Sequence, residues 1–208
     1  MDSVALSGLY VITAPELTPD LVAACEQALQ GGAQLVQYRN KLADMATRRA
    51  QLAQLLPLCH HYGARLLVND DAALAHEMNA DGVHLGQADG SVGAARELLG
   101  SDKLIGVTCH GSLALAKQAL AEGADHLAFG RFFASHTKPD APPASLEVLQ
   151  QARQLGVPLV AIGGVTPDNA PSLLAAGADA LAVIHGVFGQ PDIRQAAQQF
   201  TDLFGKNT

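Results

Sequence analysis

A recurring lead of small residues before short aliphatic runs constrains this chain more than any other feature. Gly32-Ala33 precedes Leu35-Val36, and Gly63-Ala64 precedes Leu66-Leu67-Val68. The lead returns as Ala80-Asp81, Gly123-Ala124-Asp125 and Gly177-Ala178-Asp179. Short runs of Val, Ile and Leu bounded by glycine read as strands buried on both faces. A glycine just past a helix end closes that helix, so each glycine-bearing lead also ends the helix before it. Strands are expected near 8–13, 35–38, 65–69, 82–85, 104–108, 126–130, 158–162 and 180–184.

Between them lie Ala-, Gln- and Leu-rich segments at helical spacing, over 19–30, 47–62, 112–122, 145–155 and 169–176. Shorter helices are expected at 72–78 and 92–99, and a last one over 192–204. Thr18-Pro19 reads as an N-cap followed by a proline at the first helical position. Strict alternation of strand and helix requires a parallel sheet with right-handed crossovers. In 208 residues this predicts an α/β chain folded as a single-domain (β/α)8 TIM barrel over 1–208, at the compact end for that architecture. An open doubly wound sheet is the competitor. It would carry Gly-x-Gly-x-x-Gly after its first strand, where Thr13-Ala14-Pro15-Glu16 stands instead.

The charge balance narrows function. Thirteen Lys and Arg against 20 Asp and Glu give a net charge of −7, a balance that disfavours nucleic-acid binding, which needs a basic face. Six Phe, three Tyr and no Trp leave no platform for base stacking and imply an aliphatic core. The dispersed cysteines Cys25, Cys59 and Cys109 fit a reducing compartment better than a disulfide scaffold. No Lys or Arg precedes Arg39, where a secretory signal would carry early positive charge. No apolar run reaches the length of a membrane span. The expectation is a soluble cytoplasmic protein, with a homo-oligomer compatible with the sequence.

In such a barrel the functional face is built from the C-terminal ends of the strands. Strand two ends in Gln37-Tyr38-Arg39-Asn40-Lys41, strand three in Asn69-Asp70-Asp71, and strand four runs into His84-Leu85-Gly86-Gln87-Ala88-Asp89. Strand five ends at Thr108, strand six leads to Ser135-His136-Thr137-Lys138, strand seven to Gly163-Gly164 and strand eight to Ile184-His185-Gly186. Gln37, Arg39 and Lys41 share one side of an extended run. Two cations and an amide at that spacing suit an oligophosphate, although a solvated strand end would carry the same residues. Asp70 and Asp89, on neighbouring strand ends without Cys or clustered His, favour a hard ion such as Mg²⁺. Capping of the third helix competes for that role; Asp71 is the preferred cap and Asp70 the preferred ligand. Gly163-Gly164 matches the place where barrels bind phosphate through backbone N–H groups, or else makes a plain tight turn.

The histidines lack zinc spacing, so no zinc site is assigned. His84 reads as a structural strand-end residue, while His110, His136 and His185 are candidates to face the pocket. Cys109 reads as a buried thiol rather than a nucleophile. The segment 135–143, with three prolines, is the candidate loop to close over a ligand.

Taken in order, these pieces resemble the thiamine-phosphate synthase family. Gly8-Leu9-Tyr10-Val11-Ile12-Thr13 is similar to its opening strand, and Gln37-x-Arg39-x-Lys41 to its pyrimidine-diphosphate motif. Asn69-Asp70 and Gly82-Val83-His84-Leu85-Gly86-Gln87-x-Asp89 resemble its metal-binding segments. Phe129-Gly130 through Thr137-Lys138, Ala161-Ile162-Gly163-Gly164 and Ala182-Val183-Ile184 complete the order.

The resemblance implies a transferase of thiamine biosynthesis. It would join hydroxymethylpyrimidine diphosphate to hydroxyethylthiazole phosphate, releasing pyrophosphate and leaving thiamine phosphate. By that likeness Gln37, Arg39, Lys41 and Asn69 hold the pyrimidine diphosphate, and Asp70 and Asp89 hold Mg²⁺. Thr108 stands where the family usually has Ser. Ser135, Thr137 and Lys138 carry over to the thiazole phosphate and pyrophosphate region, and Gly164 with the Ile184-His185 backbone to the thiazole phosphate. A dissociative path is implied, with Mg²⁺, Arg39, Lys41 and Lys138 stabilising the leaving group. Two departures stand out: His185 replaces a common Ser, and Arg131-Phe132-Phe133-Ala134-Ser135-His136-Thr137 differs from the commoner Pro-rich loop. A thiazole tautomerase of the same superfamily and a non-catalytic phosphate-binding paralogue are the rival readings. The intact diphosphate clamp and carboxylates favour the synthase.

Overall fold

The structure, a computed structural model, describes residues 6–134 and 142–205. Its strands are β1 (Gly8–Ile12), β2 (Leu35–Tyr38), β3 (Arg65–Asn69), β4 (Gly82–Leu85), β5 (Leu104–His110), β6 (His126–Phe129), β7 (Leu159–Ile162) and β8 (Ala180–Val183). All pair in parallel, and β8 returns to β1 through Gly8↔Ala180 and Tyr10↔Ala182, closing the predicted barrel. The helices are α1 (Leu21–Gln30), α2 (Met45–His61), α3 (Ala72–Glu77), α4 (Val92–Leu99), α5 (Leu113–Ala121), α6 (Leu146–Ala152), α7 (Ala170–Ala176), α8 (His185–Phe188) and α9 (Ile193–Phe204).

Two local expectations are corrected. The cap of α1 is Asp20, whose side chain accepts the Ala23 N–H, because the Thr18 hydroxyl is taken by the Ala14 carbonyl at 3.1 Å. The chain after β8 turns at once into the short α8, which a reading of Ile184-His185-Gly186 as a strand end does not anticipate. Asp71 caps α3 by accepting the Leu74 N–H at 2.9 Å, as expected, which leaves Asp70 uncommitted to the helix.

The apolar interior falls into two shells. Outward-facing strand residues such as Val11, Val36, Leu66, Val68 and Val83 pack beneath the helices. Inward-facing Tyr10, Ile12, Leu35, Leu67, Ala128, Val160, Ala180 and Ala182 fill the barrel. The alternation follows from the two-residue period of a strand, and burial on both faces is why the sequence runs are continuously aliphatic.

The aspartate in the recurring lead has a structural purpose. Asp81, Asp125 and Asp179 stand just before β4, β6 and β8. Their carboxylates accept the N–H of Leu66 at 2.7 Å, Ile105 at 2.7 Å and Leu159 at 2.8 Å near the starts of β3, β5 and β7. Each aspartate's own N–H donates back to the carbonyl of the same residue, at 3.0, 2.8 and 2.8 Å respectively. These two-point clamps hold β3 to β4, β5 to β6 and β7 to β8 at the N-terminal floor. Before β2, Gln34 makes the backbone half of the contact, its N–H to the Leu9 carbonyl at 2.9 Å.

Candidate active site

At the C-terminal mouth the strand ends surround one cavity of about 420 Å³. It is lined by Gln37, Arg39, Lys41, Asn69, Asp70, Asp89, Thr108, Gly164, Ile184 and His185, every expected site residue that the structure describes. Ser135, Thr137 and Lys138, with His136 and most of the candidate closing loop, lie outside the described residues. His84, His110 and Arg131 also reach the wall.

Strand β2 delivers the cationic side. Register places Gln37 opposite Ile12, pointing into the barrel, where its Nε2 donates to the Tyr10 hydroxyl. Arg39 and Lys41 continue past the strand end. Thr13 fixes that extension: its Oγ1 accepts the Arg39 N–H at 2.7 Å and donates to the Arg39 carbonyl at 2.9 Å. Gln51 of α2 ties down the intervening residues through the Tyr38 hydroxyl at 2.7 Å and Asn40 Nδ2 at 3.0 Å.

Strands β3 and β4 deliver the acidic side. Lys41 Nζ lies 2.9 Å from Asp70 Oδ2, and Asp70 is hydrogen-bonded to Asp89 and Asn69. Asp89 Oδ2 accepts the Gly86 N–H at 3.0 Å. Burial works against ionising Asp70, but the Lys41 hydrogen bond and charge, with the bonds from Asp89 and Asn69, hold its carboxyl below the ordinary range. Asp89 moves the opposite way. Desolvation first, then the adjacent Asp70 carboxylate, push it up against the pull of the Gly86 N–H and Lys41. Two touching carboxylates of opposed shift form an oxygen-only site whose charge a divalent cation would relieve. Among the described residues no group of three or more His, Cys, Asp or Glu is placed to hold a metal. Two carboxylates could hold an ion that takes one or two such ligands and completes its shell with phosphate and water, as Mg²⁺ does.

Across the barrel, Gly163 and Gly164 follow β7 with φ of 103° and 66°. A Cβ on Gly164 would lie 2.2 Å from the Ala134 carbonyl oxygen, so only glycine admits the chain leaving β6.

At the cavity wall and behind it lies a polar group whose cross-strand connections the sequence reading did not anticipate. His84 Nε2 is 2.9 Å from Thr108 Oγ1, and Gln87 Nε2 donates to the Thr108 carbonyl at 2.6 Å. His126 is fully buried, its ring 5.8 Å from His84 and 6.4 Å from Tyr10. Burial, reinforced by His84, pushes the His126 imidazole down to about 3, so it is neutral. Gly106 makes the room: a Cβ there would meet His126 Nε2 at 2.0 Å and His84 Nδ1 at 2.6 Å. A glycine inside a strand was the available signal for such a close approach. The three cysteines are buried free thiols, as expected; burial raises Cys109 to about 12, which suits packing and not nucleophilic attack.

A family model described as thiamine monophosphate synthase matches residues 9–187. The chain belongs to the thiamine monophosphate synthase family. A thiamine-phosphate synthase of Alcanivorax borkumensis is 58% identical, with 97% of this chain and 96% of the relative covered. One of Methylobacillus flagellatus is 50% identical, with 96% of each covered. The solved thiamine phosphate pyrophosphorylase of Pyrococcus furiosus superposes with a TM-score of 0.88 at 35% identity, covering 96% of both chains. Family membership spans the cationic end of β2, the carboxylates after β3 and β4, and the glycine turn after β7.

Proposed function

We infer that this chain condenses hydroxymethylpyrimidine diphosphate with hydroxyethylthiazole phosphate, giving thiamine phosphate and pyrophosphate. The observation that carries the reading is the two-sided cavity. Lys41, Asp70 and Asp89 on β2 to β4 face the glycine-rich ends of β7 and β8 across the mouth, in one space of about 420 Å³. That arrangement suits a diphosphate on one side and a monophosphate on the other.

In the proposed path the C–O bond to the diphosphate breaks, its electron pair leaving with pyrophosphate, and the thiazole nitrogen forms the new C–N bond. Arg39 and Lys41 bind the departing diphosphate, and Gln37, held by Tyr10, orients the pyrimidine. Asp70 and Asp89 would hold a Mg²⁺ that neutralises leaving-group charge. The backbone at Gly164 and Ile184-His185 aims the thiazole through its phosphate. No side-chain nucleophile is needed, and the catalytic gain comes from positioning and fixed charge. Among the described residues no helix is long and apolar enough to cross a membrane, and three buried free thiols fit a reducing cytoplasm.

The test is incubation of purified protein with both substrates and Mg²⁺, reading thiamine phosphate and pyrophosphate. Both products are expected only when both substrates are present. Isomerisation of the thiazole phosphate without coupling, or binding without turnover, would overturn the reading.

A further inference from the structure

We propose that His84 is a positioning residue for the reaction, acting through the hydroxyl of Thr108. The inference rests on the reading above, in which Thr108 is part of the wall that receives the pyrimidine diphosphate. His84 faces inward from β4 and is 7% exposed. Its Nε2 lies 2.9 Å from Thr108 Oγ1, while Thr108 lines the cavity.

A threonine hydroxyl has a rotatable O–H, and its partner decides where the proton and the lone pairs point. Two features fix where the Thr108 side chain stands, and a third engages its hydroxyl. The β5–β6 register shifts between Thr108 and His110, the irregularity that re-aims a side chain beside a site. Gln87, two residues past β4, donates to the Thr108 carbonyl at 2.6 Å. The imidazole of His84 then engages the hydroxyl itself. The imidazole is in turn wedged: His126 lies behind it, 5.8 Å between ring centres, and the missing side chain of Gly106 leaves the space both rings occupy. A residue serving only as filler would not need a polar atom aimed at the cavity wall. The arrangement fixes the Thr108 hydroxyl before substrate arrives, which is the form of preorganisation that lowers a barrier.

The experiment is a cycle of His84→Ala and His84→Gln in the parent, Thr108→Ser and Thr108→Ala backgrounds. It measures kcat, both KM values and thermal midpoints. In the parent and in Thr108→Ser, His84→Ala is expected to lower kcat about fivefold to tenfold, the worth of one aligned hydrogen bond. KM for the thiazole phosphate should stay unchanged. His84→Gln, whose amide reaches a similar point, should recover part of the loss. In Thr108→Ala, neither His84 variant should cost anything further. A His84 substitution that costs the same factor with and without the Thr108 hydroxyl overturns the proposal, whatever its thermal midpoint. So does wild-type kcat in His84→Ala. Failure of the functional reading is distinguishable, because the parent protein would then form no thiamine phosphate.

Discussion

Lys41 Nζ rests 2.9 Å from Asp70 Oδ2, tying the end of β2 to the end of β3 at the barrel mouth. The lysine side chain is 57% exposed, so the pair adds little to stability. Its value is positional. Asp70 has φ of 64°, a conformation costly for a residue with a Cβ. The backbone strain therefore lies where the proposed metal and diphosphate ligands converge.

Removing the charge of Lys41 or of Asp89 should slow coupling with little loss of fold. Lys41→Ala and Asp89→Asn are each expected to reduce kcat by about 10²-fold or more, the usual scale for losing one electrostatic stabiliser of a transition state. Steady-state pyrophosphate release at saturating Mg²⁺ measures this. Wild-type rates in both variants would reject the assigned roles.

The same aspartate should trade stability for function. Asp89 is raised in the folded protein, so its protonated form is favoured by folding. That contribution is present below the unfolded value and is lost as pH rises through the folded one. At neutral pH the metal-free protein therefore carries a charge it would fold better without. Asp89→Asn keeps an acceptor for the Gly86 N–H and should raise the thermal midpoint by about 1–3 °C without metal. Added Mg²⁺ should stabilise the parent and leave Asp89→Asn nearly unmoved.

At the opposite end the expectation reverses. Asp179→Ala strands the Leu159 N–H and should cost about 1–3 kcal/mol in urea unfolding with kcat unchanged. Asp179→Asn, which can still accept that bond, should cost less.

Most of the barrel and its mouth are legible in the sequence because both obey simple periods. The aliphatic runs gave the strand positions, and the polar residues after each run gave the rim, from Gln37, Arg39 and Lys41 to Asp70, Asp89 and Gly163-Gly164. The misses share a cause: they depend on what stands across the barrel. His84 does stand near the end of β4, as read, but its contacts with Thr108 on β5 and His126 on β6, in the space Gly106 leaves, could not be seen along the chain. The lead aspartates looked like punctuation because their partners lie on the preceding strand. Helix α8 was hidden because four residues carry too little periodicity to register.

Gly106 gives a sharp check on that hidden layer. Gly106→Ala should destabilise the fold by about 1–3 kcal/mol through overpacking against His126 and His84. It should also depress kcat, since the His84 ring is displaced. Adding His126→Ala should restore part of both, read by urea midpoint and turnover in the double variant.

The carboxylate clamps all grip the floor of the cylinder, whereas every described group expected to handle substrate hangs from its upper end. Durability and chemistry are therefore delegated to opposite poles of one small chassis. A designer, or a lineage, could rewrite what the upper pole recognises while the lower pole goes on keeping the staves together.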